Sequence, residues 1–533
     1  MIESLFQKIL SCSNRYKLES TSVDSNLFSL LFLITTLTFS VTIEVKAQHK
    51  HDYIWTLGNK KPINDPNTFL IDFNNKEVRI YKYPLKNSFN TVSTNYASYE
   101  GNLLTYSNGC VIFNKDAKIM DNGTDLNPGF IQQGNWCENG YPGGNQSHFF
   151  LGDPGDTNML WLFHVSYSES ANYPLPTYLR TSKINLRLNN GLGKVIEKNT
   201  KTVIDSLITN GELSATRHSN NIDWWIISPT GRLDSLYRIF LLTPTGLKGP
   251  FEQRIGKPLD QLNSGGGAFK FNSQGTKLAR YGYNQGVFLY DFDRETGKLS
   301  NFVELDTSRY EALGGAEFSA SGKYLYVSTR YELFQYDMEA SDIRRSIIRI
   351  DSLDGFQSNV SGQTVTFGSL QLGPDCRIYV VPTTSVDYFG VIHYPENSGR
   401  TCDFRQHSLK LPFPNQLTRI YYPQYRTGSL QLCDSTIRAA NTSGVIDYQT
   451  YLNTLSVFPN PSSDQIDISL LGSLYFDSKI HIIDQHGRLV REELLFAGST
   501  QKNINIENLQ LGLYTIKLSD KTGIVGLQRF IKI

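Results

Sequence analysis

Short apolar runs separated by polar turns recur through the middle of the chain. The pattern is clearest in three segments, which begin at residues 265, 313 and 368 and read GGGAFKFNSQGTKLARYG, LGGAEFSASGKYLYVST and GSLQLGPDCRIYVVPT. Each predicts a strand, a turn and a second strand, followed by a further strand with an aromatic residue near its end. Gly275 precedes Gly322 by 47 positions (322 − 275), and Gly322 precedes Cys376 by 54 (376 − 322). Repeats of this length built only from short strands are typical of a β-propeller.

The repeat length also predicts the number of blades. Residues 50 to 430 span 380 positions (430 − 50), which accommodates seven copies or slightly more. Earlier copies are eroded but keep their apolar runs, as in NTFLIDFNNKEVRIYKY, EGNLLTYSNGCVIFNKD, NMLWLFHVSYS and IDWWIISPTG. We therefore expect an all-β, seven-bladed propeller over residues 48–430, with eight blades as the alternative.

The pattern changes after residue 430. Residues 431–454 are polar and rich in Ser and Thr, so they predict a linker. Strand periodicity returns at 455–533, where LSVFPNP ends a strand in a Pro-Asn-Pro turn, since proline cannot sit in a central ladder. The segments that follow alternate apolar and polar residues over about seven strands. We expect a small Ig-like antiparallel β-sandwich here.

An uncharged apolar run lies near the N-terminus. Residues 27–41 read LFSLLFLITTLTFSV, follow several basic residues, and precede small residues at Val45 and Ala47. This arrangement predicts a secretory signal over residues 1–47, cleaved between Ala47 and Gln48. The alternative is a transmembrane anchor, but the run is shorter than the ~20 residues that cross a bilayer. We expect no transmembrane anchor in the mature chain.

Composition and charge narrow the class of partner. The chain contains 30 Tyr and 30 Phe but only 4 Met, a balance that favours strands over long helices. Lys and Arg total 51 against 50 Asp and Glu, and no run of one sign stands out. The charge distribution therefore indicates neither nucleic acid nor an anionic membrane as a partner.

Export would place the cysteines in an oxidising compartment. Cys12 belongs to the predicted signal, and no CxxC pair occurs among the others, so zinc and thioredoxin-like chemistry lack their spacing. Loops of similar size predict disulfides between Cys110 and Cys137 and between Cys376 and Cys402, leaving Cys433 over. Unpaired buried thiols are the alternative.

Candidate catalytic and metal-binding residues are sparse. His218 and Asp223 in RHSNNIDWW are the most enzyme-like pair, but a spacing of five along a strand-rich segment favours packing in a blade over a catalytic dyad. The GxSxG, HExxH and P-loop signatures are absent. The carboxylates of GDPGDTN (152–158) and DFDRETG (291–297) do not have the spacing of a calcium loop and suit tight turns. We predict no catalytic residue, metal site or cofactor.

The middle of the chain resembles a known group of exported propellers. In order along the chain, the resemblance lies in YSNGCVIFNKDAKIMDNGTDLNPG, ATRHSNNIDWWIISP, LTPTGL, GAEFSASGKYLYVS and LQLGPDCRIYV. These segments are similar to YVTN/WD-repeat-like β-propellers exported by Bacteroidota, and they cover most of residues 50–430. The resemblance implies a fold and an exported location rather than a reaction.

Residues 455–533 resemble the type A C-terminal sorting domain of the type IX secretion system. The features that match, in order, are Pro459, Asn460, Pro461, Asp484, Gly487, Arg488, Gly512, Tyr514 and Lys532. The resemblance implies that the signal carries the chain to the periplasm and that this module carries it across the outer membrane. It also implies that the secretion machinery handles the module, and that a sortase-like peptidase removes it within residues 430–455. The cargo is then released or attached to surface lipopolysaccharide.

Three classes of function fit the sequence. The first is a secreted or cell-surface binding or scaffold module, because exposed Tyr and Trp on a propeller could stack on a glycan or contact a protein. The second is a hydrolase or lyase with its site at the propeller axis. The third is a structural role in surface adhesion or gliding.

Overall fold

The fold is that of a computed structural model. It describes residues 49–533 except for 60–66, 84, 86–87, 90, 145, 169–175, 203–207, 210, 232, 259–266, 283–284, 307–313, 416–417, 430, 441–444, 447–454, 471–476, 497–498 and 521–522. The predicted signal, with its cleavage site at Ala47 and Gln48, lies outside the described residues.

Seven four-stranded sheets, numbered here as blades 1 to 7, are formed by the described residues between 54 and 446. The strands of blades 1 to 3 are β1 (Ile54–Asn59), β2 (Asn67–Asp72), β3 (Arg79–Lys82); β4 (Val92–Ala97), β5 (Leu103–Ser107), β6 (Ile112–Asn114); and β7 (His148–Gly152), β8 (Met159–Tyr167), β9 (Pro176–Asn185), β10 (Lys194–Lys201). Those of blades 4 and 5 are β11 (Ser214–Arg217), β12 (Trp224–Pro229), β13 (Leu236–Thr243), β14 (Gly246–Arg254); and β15 (Ala268–Phe271), β16 (Lys277–Gly282), β17 (Gly286–Asp293), β18 (Lys298–Asp306). Those of blades 6 and 7 are β19 (Gly315–Phe318), β20 (Tyr324–Ser328), β21 (Glu332–Asp337), β22 (Ile348–Ser352); and β23 (Ser369–Leu372), β24 (Ile378–Val381), β25 (Val386–Ile392), β26 (Phe404–Asn415). The all-β propeller with seven blades is confirmed.

The first strands of the later blades are buried on both faces. Every residue of β15, β19 and β23 is buried, as is every residue of β12. Blades of a propeller stack face to face, so their strands read as continuous apolar runs rather than as strict alternation. The turns after β15 and β19 place Gly275 and Gly322 at φ +71° and +78°. Glycine adopts this left-handed region without the steric cost that a side chain brings.

Two short strands from the end of the propeller complete its first two sheets. They are β27 (Arg419–Ile420), which pairs in parallel with β4, and β28 (Val445–Ile446), which pairs in parallel with β3. The ring is therefore closed by pairing strands that are distant in sequence, which leaves blades 1 and 2 without a complete sheet until the rest of the propeller is made.

The prediction that a linker begins at residue 431 is wrong over its first part. The Arg438 amide donates to the Lys76 carbonyl at 2.8 Å, and the Arg438 carbonyl accepts from the Val78 amide at 2.9 Å. Ile437 is buried in the propeller core. Backbone hydrogen bonds to blade 1 thus hold this segment on the propeller, although its composition is polar. Residues 441–444 and 447–454 lie outside the described residues.

The cysteine pairing agrees with the prediction at one site and corrects it at the other. Cys110 and Cys137 form the predicted disulfide. Cys376 pairs with Cys433 rather than with Cys402, which is a buried free thiol. The reason is the return of the chain to blade 7, where the Asp434 amide donates to the Pro374 carbonyl at 2.7 Å and brings residue 433 beside Cys376.

The C-terminal module contains seven strands in two sheets among its described residues, as predicted. The first sheet contains β29 (Ser456–Phe458), β30 (Gln465–Ser469) and β33 (Gln501–Asn505); the second contains β31 (Ser478–Asp484), β32 (Leu489–Leu495), β34 (Gly512–Asp520) and β35 (Gly523–Lys532). Alternate residues point inward, which buries Ile466 and Ile468 from one sheet against Ile480 and Ile482 from the other. The module is a small β-sandwich.

Among the residues that the structure describes, helical structure is limited to single turns. They are Phe130–Gln133, Asn135–Glu138, Leu188–Gly191, Arg344–Ser346 and Gly399–Cys402. Within the part of the chain that the structure describes, no helix has the length and apolar character to cross a bilayer.

A buried polar network ties the loop closed by the Cys110–Cys137 disulfide to blade 3. The Asn127 amide nitrogen donates to His148 Nε2 at 3.0 Å, and the Asn127 amide oxygen accepts from His164 Nδ1 at 2.6 Å. The other ring nitrogens face the Ser147 hydroxyl at 2.7 Å and the Ser182 hydroxyl at 3.0 Å. His148 is neutral in this arrangement, because a proton on its Nε2 would point at the Asn127 NH₂ group. Burial lowers the pKa of His164 well below its usual value.

The network predicts that stability falls in mild acid. Burial lowers the pKa of His148 from 6.5 to about 3. Between these values the unfolded chain binds a proton that the folded chain does not, so this stabilisation is complete above pH 6.5 and declines as the pH falls towards 3. From pH 7 to pH 5 we expect His148 to account for a loss of roughly 2 kcal/mol in the free energy of unfolding. Chemical denaturation of wild type and His148→Gln at both pH values measures it. Equal pH dependence in the two proteins would contradict the expectation.

Candidate functional site

The Pro-Asn-Pro turn of the C-terminal module fastens its last strand. β35 lies at the edge of its sheet, and the Asn460 side chain bonds to the backbone of that edge like a short piece of strand. The Asn460 amide nitrogen donates to the Arg529 carbonyl at 3.0 Å, and its oxygen accepts from the Ile531 amide at 2.9 Å. Ser462 continues the pairing, with its amide 2.9 Å from the Ile531 carbonyl. Side-chain amide and backbone thus satisfy an edge that would otherwise be open.

The middle motif organises the hairpin between β31 and β32. One Asp484 oxygen accepts from the amides of His486 at 2.9 Å and Arg488 at 3.0 Å, and the other accepts from Arg488 Nε at 2.8 Å. These hydrogen bonds and the Arg488 charge hold the pKa of Asp484 below its usual range. Gly487 occupies the left-handed position of the turn at φ +79°. Asp484, Gly487 and Arg488 therefore belong to one turn, which their own hydrogen bonds stabilise.

Strand register brings the separated motifs to one end of the module. Asp484 lies opposite Tyr514 in the β31–β34 pair, and Gly512 lies opposite Lys532 in the β34–β35 pair. The Tyr514 ring stacks on Phe530 with centroids 5.4 Å apart, and its hydroxyl donates to the Gln510 carbonyl at 2.8 Å. We call this end of the sandwich, with the Pro-Asn-Pro turn, the motif end.

Large apolar side chains are exposed at the motif end. The exposed fraction is 75% for Leu511, 61% for Ile533, 54% for Leu489, 44% for Ile531 and 41% for Leu513. Leu513 lies opposite Ile531, and Leu489 lies opposite Ile483, beside Asp484. A cluster of exposed apolar side chains of this kind is a common sign of a protein-binding surface.

The axis of the propeller is filled by residues 419–428, which we call the axial segment. The Tyr421 hydroxyl lies 2.9 Å from the Ser214 hydroxyl of blade 4, and the Tyr425 hydroxyl donates to the Phe150 carbonyl of blade 3 at 2.7 Å. Tyr422 bonds to Asn95 of blade 2, to the Ile54 carbonyl of blade 1 at 3.1 Å, and through its amide to Gln371 of blade 7 at 3.1 Å. All three tyrosines are buried. The segment therefore bonds to blades 1, 2, 3, 4 and 7.

Three repeat-equivalent side chains meet beside the axial segment. Lys270, Glu317 and Gln371 occupy the same strand position in successive blades. The Lys270 ammonium lies 2.9 Å from Glu317 Oε2 and 2.8 Å from Gln371 Oε1, and 4.8 Å from the centre of the Tyr421 ring. Burial lowers the pKa of Lys270. Because each polar atom has a partner, the cluster fixes the axial segment and offers no open ligand position.

A buried ion pair fastens the other end of the axial segment to the start of the propeller. Arg426 Nη1 bonds to Asp52 Oδ1, and Arg426 Nε donates to the Leu432 carbonyl. Side chains of the pair are only 2% and 3% exposed. Burial raises the pKa of Asp52, while the Arg426 charge opposes that shift. The first described residues of the chain are thus locked to a segment 374 positions away.

His218 and Asp223 do not form a catalytic dyad. Their direct contact is between backbones, from the His218 amide to the Asp223 carbonyl at 2.9 Å. The His218 ring faces the Glu295 carbonyl at 3.2 Å, and the Asp223 carboxylate accepts from the Asn220 amide at 3.0 Å. The pair therefore stabilises the turn between β11 and β12, outside the axis.

The candidate calcium segments are self-bonded turns. Asp153 accepts from the Gly155 amide at 2.8 Å, and Asp156 pairs with Arg187 at 2.8 Å. Asp293 accepts from the Glu295 amide at 2.9 Å, and Asp291 pairs with Lys277 at 2.8 Å. Over the described residues, no group of three or more His, Cys, Asp or Glu has metal-binding geometry.

Two comparisons concern the whole chain. A search of curated proteins found no significant match. Solved structures of low sequence identity align with it, and three examples follow. A candidate 6-phosphogluconolactonase from Bacteroides fragilis has 13% identity and a TM-score of 0.38, covering 68% of this chain and 97% of its own. A protein from Lactobacillus plantarum has 12% identity and a TM-score of 0.41, covering 68% and 98%. The periplasmic gluconolactonase of Pseudomonas aeruginosa has 12% identity and a TM-score of 0.38, covering 68% and 98%. At these scores the propeller assignment rests on the seven sheets themselves.

The C-terminal module has a specific family match. Residues 456–532 match the protein family described as the secretion system C-terminal sorting domain. The matched range begins at β29 and ends at Lys532, so it covers both sheets and the motif end. This module is a type IX secretion sorting domain, joined to the C-terminal side of a β-propeller.

Proposed function

We propose that this chain is a binding or scaffold propeller that the type IX system exports through the periplasm and outer membrane. The secretion machinery reads the C-terminal module, and a sortase-like peptidase removes it in the segment before residue 455. The propeller then acts at the cell surface or after release, on a protein or glycan partner.

The observation that carries the proposal is the convergence of the motif residues. Pro459 and Lys532 are more than seventy positions apart in the sequence, yet they reach the same end of one small sandwich. The motif residues mainly bond to one another and to the strand ends. We infer that they shape a surface for recognition, and that the exposed apolar side chains around Leu511 and Ile533 provide its contact area.

The filled axis favours binding over axial catalysis. Tyr421, Tyr422 and Tyr425 are buried beside the inner strands, so they occupy space at the axis that a hydrolase or lyase would need for its substrate. The same packing makes a rigid scaffold whose ligands bind on its outside. Large aromatic side chains are exposed there, among them Trp136, Tyr331 and Tyr394, and such side chains are frequent contacts at protein and glycan interfaces.

Substituting Asn460 tests the sorting proposal. Asn460→Ala removes two hydrogen bonds from the end of β35, each worth about 0.5–1.5 kcal/mol net. We expect hydrogen exchange at the Ile531 amide to accelerate roughly ten-fold or more, and the ratio of extracellular to periplasmic protein to fall. Asn503→Ala is a matched control, because the exposed Asn503 donates to the Asp467 carboxylate on the other sheet at 2.8 Å. Equal export of the two variants would count against recognition of the motif end.

A further inference from the structure

A cleft lies between the outer strands of blades 3 and 4. Its volume is about 280 Å³. The lining residues come from β8, β9, β10 and the residue after it in blade 3, and from β13 and β14 in blade 4, and they are Trp161, Thr181, Lys183, Glu197, Thr200, Thr202, Phe240, Gly246, Leu247 and Gly249. The cleft is remote from the filled axis, because β14 is the outermost strand of blade 4 and β10 that of blade 3.

Register breaks in both outer strands line this cleft. The pairing of β10 with β9 shifts twice, between Val195 and Glu197 and between Glu197 and Thr200. The pairing of β14 with β13 shifts between Ile239 and Leu241, opposite Gly249, whose φ is +109°. A β-bulge bends its strand and redirects side chains, and bulges are frequent next to binding sites. All three register breaks therefore lie in the two outer strands that contribute to the cleft.

The floor of the cleft is apolar and rigid. Trp161 and Phe240 are 5% and 1% exposed, and Leu247 packs against the same core. Trp161 Nε1 donates to Asp153 Oδ2 at 2.7 Å, which fixes the orientation of the indole. Trp161 and Phe240 are therefore a rigid, almost completely covered base, and the partly buried Leu247 is the apolar side chain of the floor that a ligand can reach.

The rim is polar and electrically balanced. Lys183 Nζ lies 2.6 Å from Glu197 Oε2 and 4.4 Å from the centre of the Trp161 ring. The Thr200 hydroxyl donates to Glu197 Oε1 at 3.2 Å, and Thr181 and Thr202 add further hydroxyls. An ammonium has three donors and a carboxylate has about four acceptor positions, so the pair retains capacity for ligand hydrogen bonds.

The apolar floor and the polar rim together favour one class of ligand. A sugar ring has an apolar face of C–H groups and a rim of hydroxyls that both donate and accept. The charges of the rim cancel, which favours a neutral ligand over an anion or a cation. A volume of about 280 Å³ lies at the lower end of the range for small-ligand sites, roughly 300–1,000 Å³, and therefore admits one ring rather than a chain.

We propose that this cleft between blades 3 and 4 binds one neutral sugar ring of a glycan. The apolar face of the ring lies on Leu247, above the buried Trp161 and Phe240, and its hydroxyls bond to Lys183, Glu197 and the threonines. This inference rests on the proposed binding role and names its ligand class. It is independent of export, so a failure here leaves the sorting proposal intact.

Binding of simple glycosides to the mature chain tests the cleft. The probes are the methyl glycosides of glucose, galactose, mannose and N-acetylglucosamine, followed by saturation-transfer NMR and calorimetry on residues 48–533. We expect at least one to bind with a Kd of roughly 1 mM, as is usual for so small a ligand. Lys183→Met should weaken that binding about ten-fold or more, since each lost charged hydrogen bond costs at least ~1.5 kcal/mol. Thr200→Trp, at an exposed position, should block the cleft and abolish binding.

Lys194→Met is the matched control. Lys194 also lies on β10 and pairs with the exposed Asp121 at 3.0 Å, outside the cleft. We expect this variant to bind like wild type. The proposal is overturned if none of the four glycosides binds, or if binding survives both Lys183→Met and Thr200→Trp. It is likewise overturned if Lys194→Met weakens binding as much as Lys183→Met, because the effect is then one of charge alone.

Discussion

Replacing Arg426 by methionine is expected to destabilise the propeller by about 3–5 kcal/mol, because it leaves the Asp52 carboxylate buried without its partner. The two side chains are almost completely buried, and together they join the start of the propeller to the axial segment. Burial already raises the pKa of Asp52. Loss of the guanidinium removes the charge that opposes this shift. Urea denaturation of residues 48–533 at pH 7 measures the change in the free energy of unfolding.

Two further variants separate the ion pair from general damage at the axis. The double variant Asp52→Asn, Arg426→Met should be more stable than Arg426→Met alone, since no buried charge remains unpaired. Arg187→Met removes an exposed pair with Asp156 and should leave the free energy of unfolding close to that of wild type. An Arg426→Met protein within about 1 kcal/mol of wild type would show that the buried pair does not stabilise the propeller.

The sequence was sufficient to predict the blades, because the signal repeats. Gly275 and Gly322 mark equivalent turns, and the apolar runs before them become strands buried on both faces. The same alignment of repeats also marks the three polar side chains that meet beside the axial segment. Lys270, Glu317 and Gln371 each lie five positions before Gly275, Gly322 and Cys376, the aligned turn residues (275 − 270, 322 − 317, 376 − 371). When a polar residue recurs at the same position of an apolar strand in successive repeats, the fold brings those side chains together near the propeller axis.

Features that occur once could not be predicted in this way. The axial segment, RIYYPQYRTG, is rich in tyrosine but has no counterpart in other blades. Its position depends on long-range hydrogen bonds from Tyr422 to Asn95 and Gln371. The return of Cys433 to Cys376 depends on the same path, which is why loop size alone paired Cys376 with Cys402. The polar composition of residues 431–454 likewise predicted a linker, although Arg438 bonds to blade 1.

The cleft between blades 3 and 4 was also beyond prediction from the sequence. Its opening depends on shifts of register in β10 and β14, and a shift by one residue moves side chains to the opposite face. Trp161 and Lys183 are separated in sequence and meet only because β8 and β9 pair at that position. In the C-terminal module, by contrast, the order of the motifs predicted the turns. Only the structure shows that these turns lie at one end of the sandwich.

Transfer of the C-terminal module is expected to redirect an unrelated protein to the outside of the cell. A passenger with a signal peptide alone should remain in the periplasm of a bacterium that has a type IX system. The same passenger joined to residues 441–533 should leave it, because the contacts that shape the motif end join residues of the module to one another. The native chain without residues 455–533 should remain in the periplasm.

The extracellular fraction of that passenger is the most direct test of the central claim. With residues 441–533 attached, most of the passenger should be found at the surface or in the medium, and the Asn460→Ala module should deliver less of it. A passenger that stays in the periplasm with the intact module, or a native chain that reaches the surface without residues 455–533, would contradict the claim.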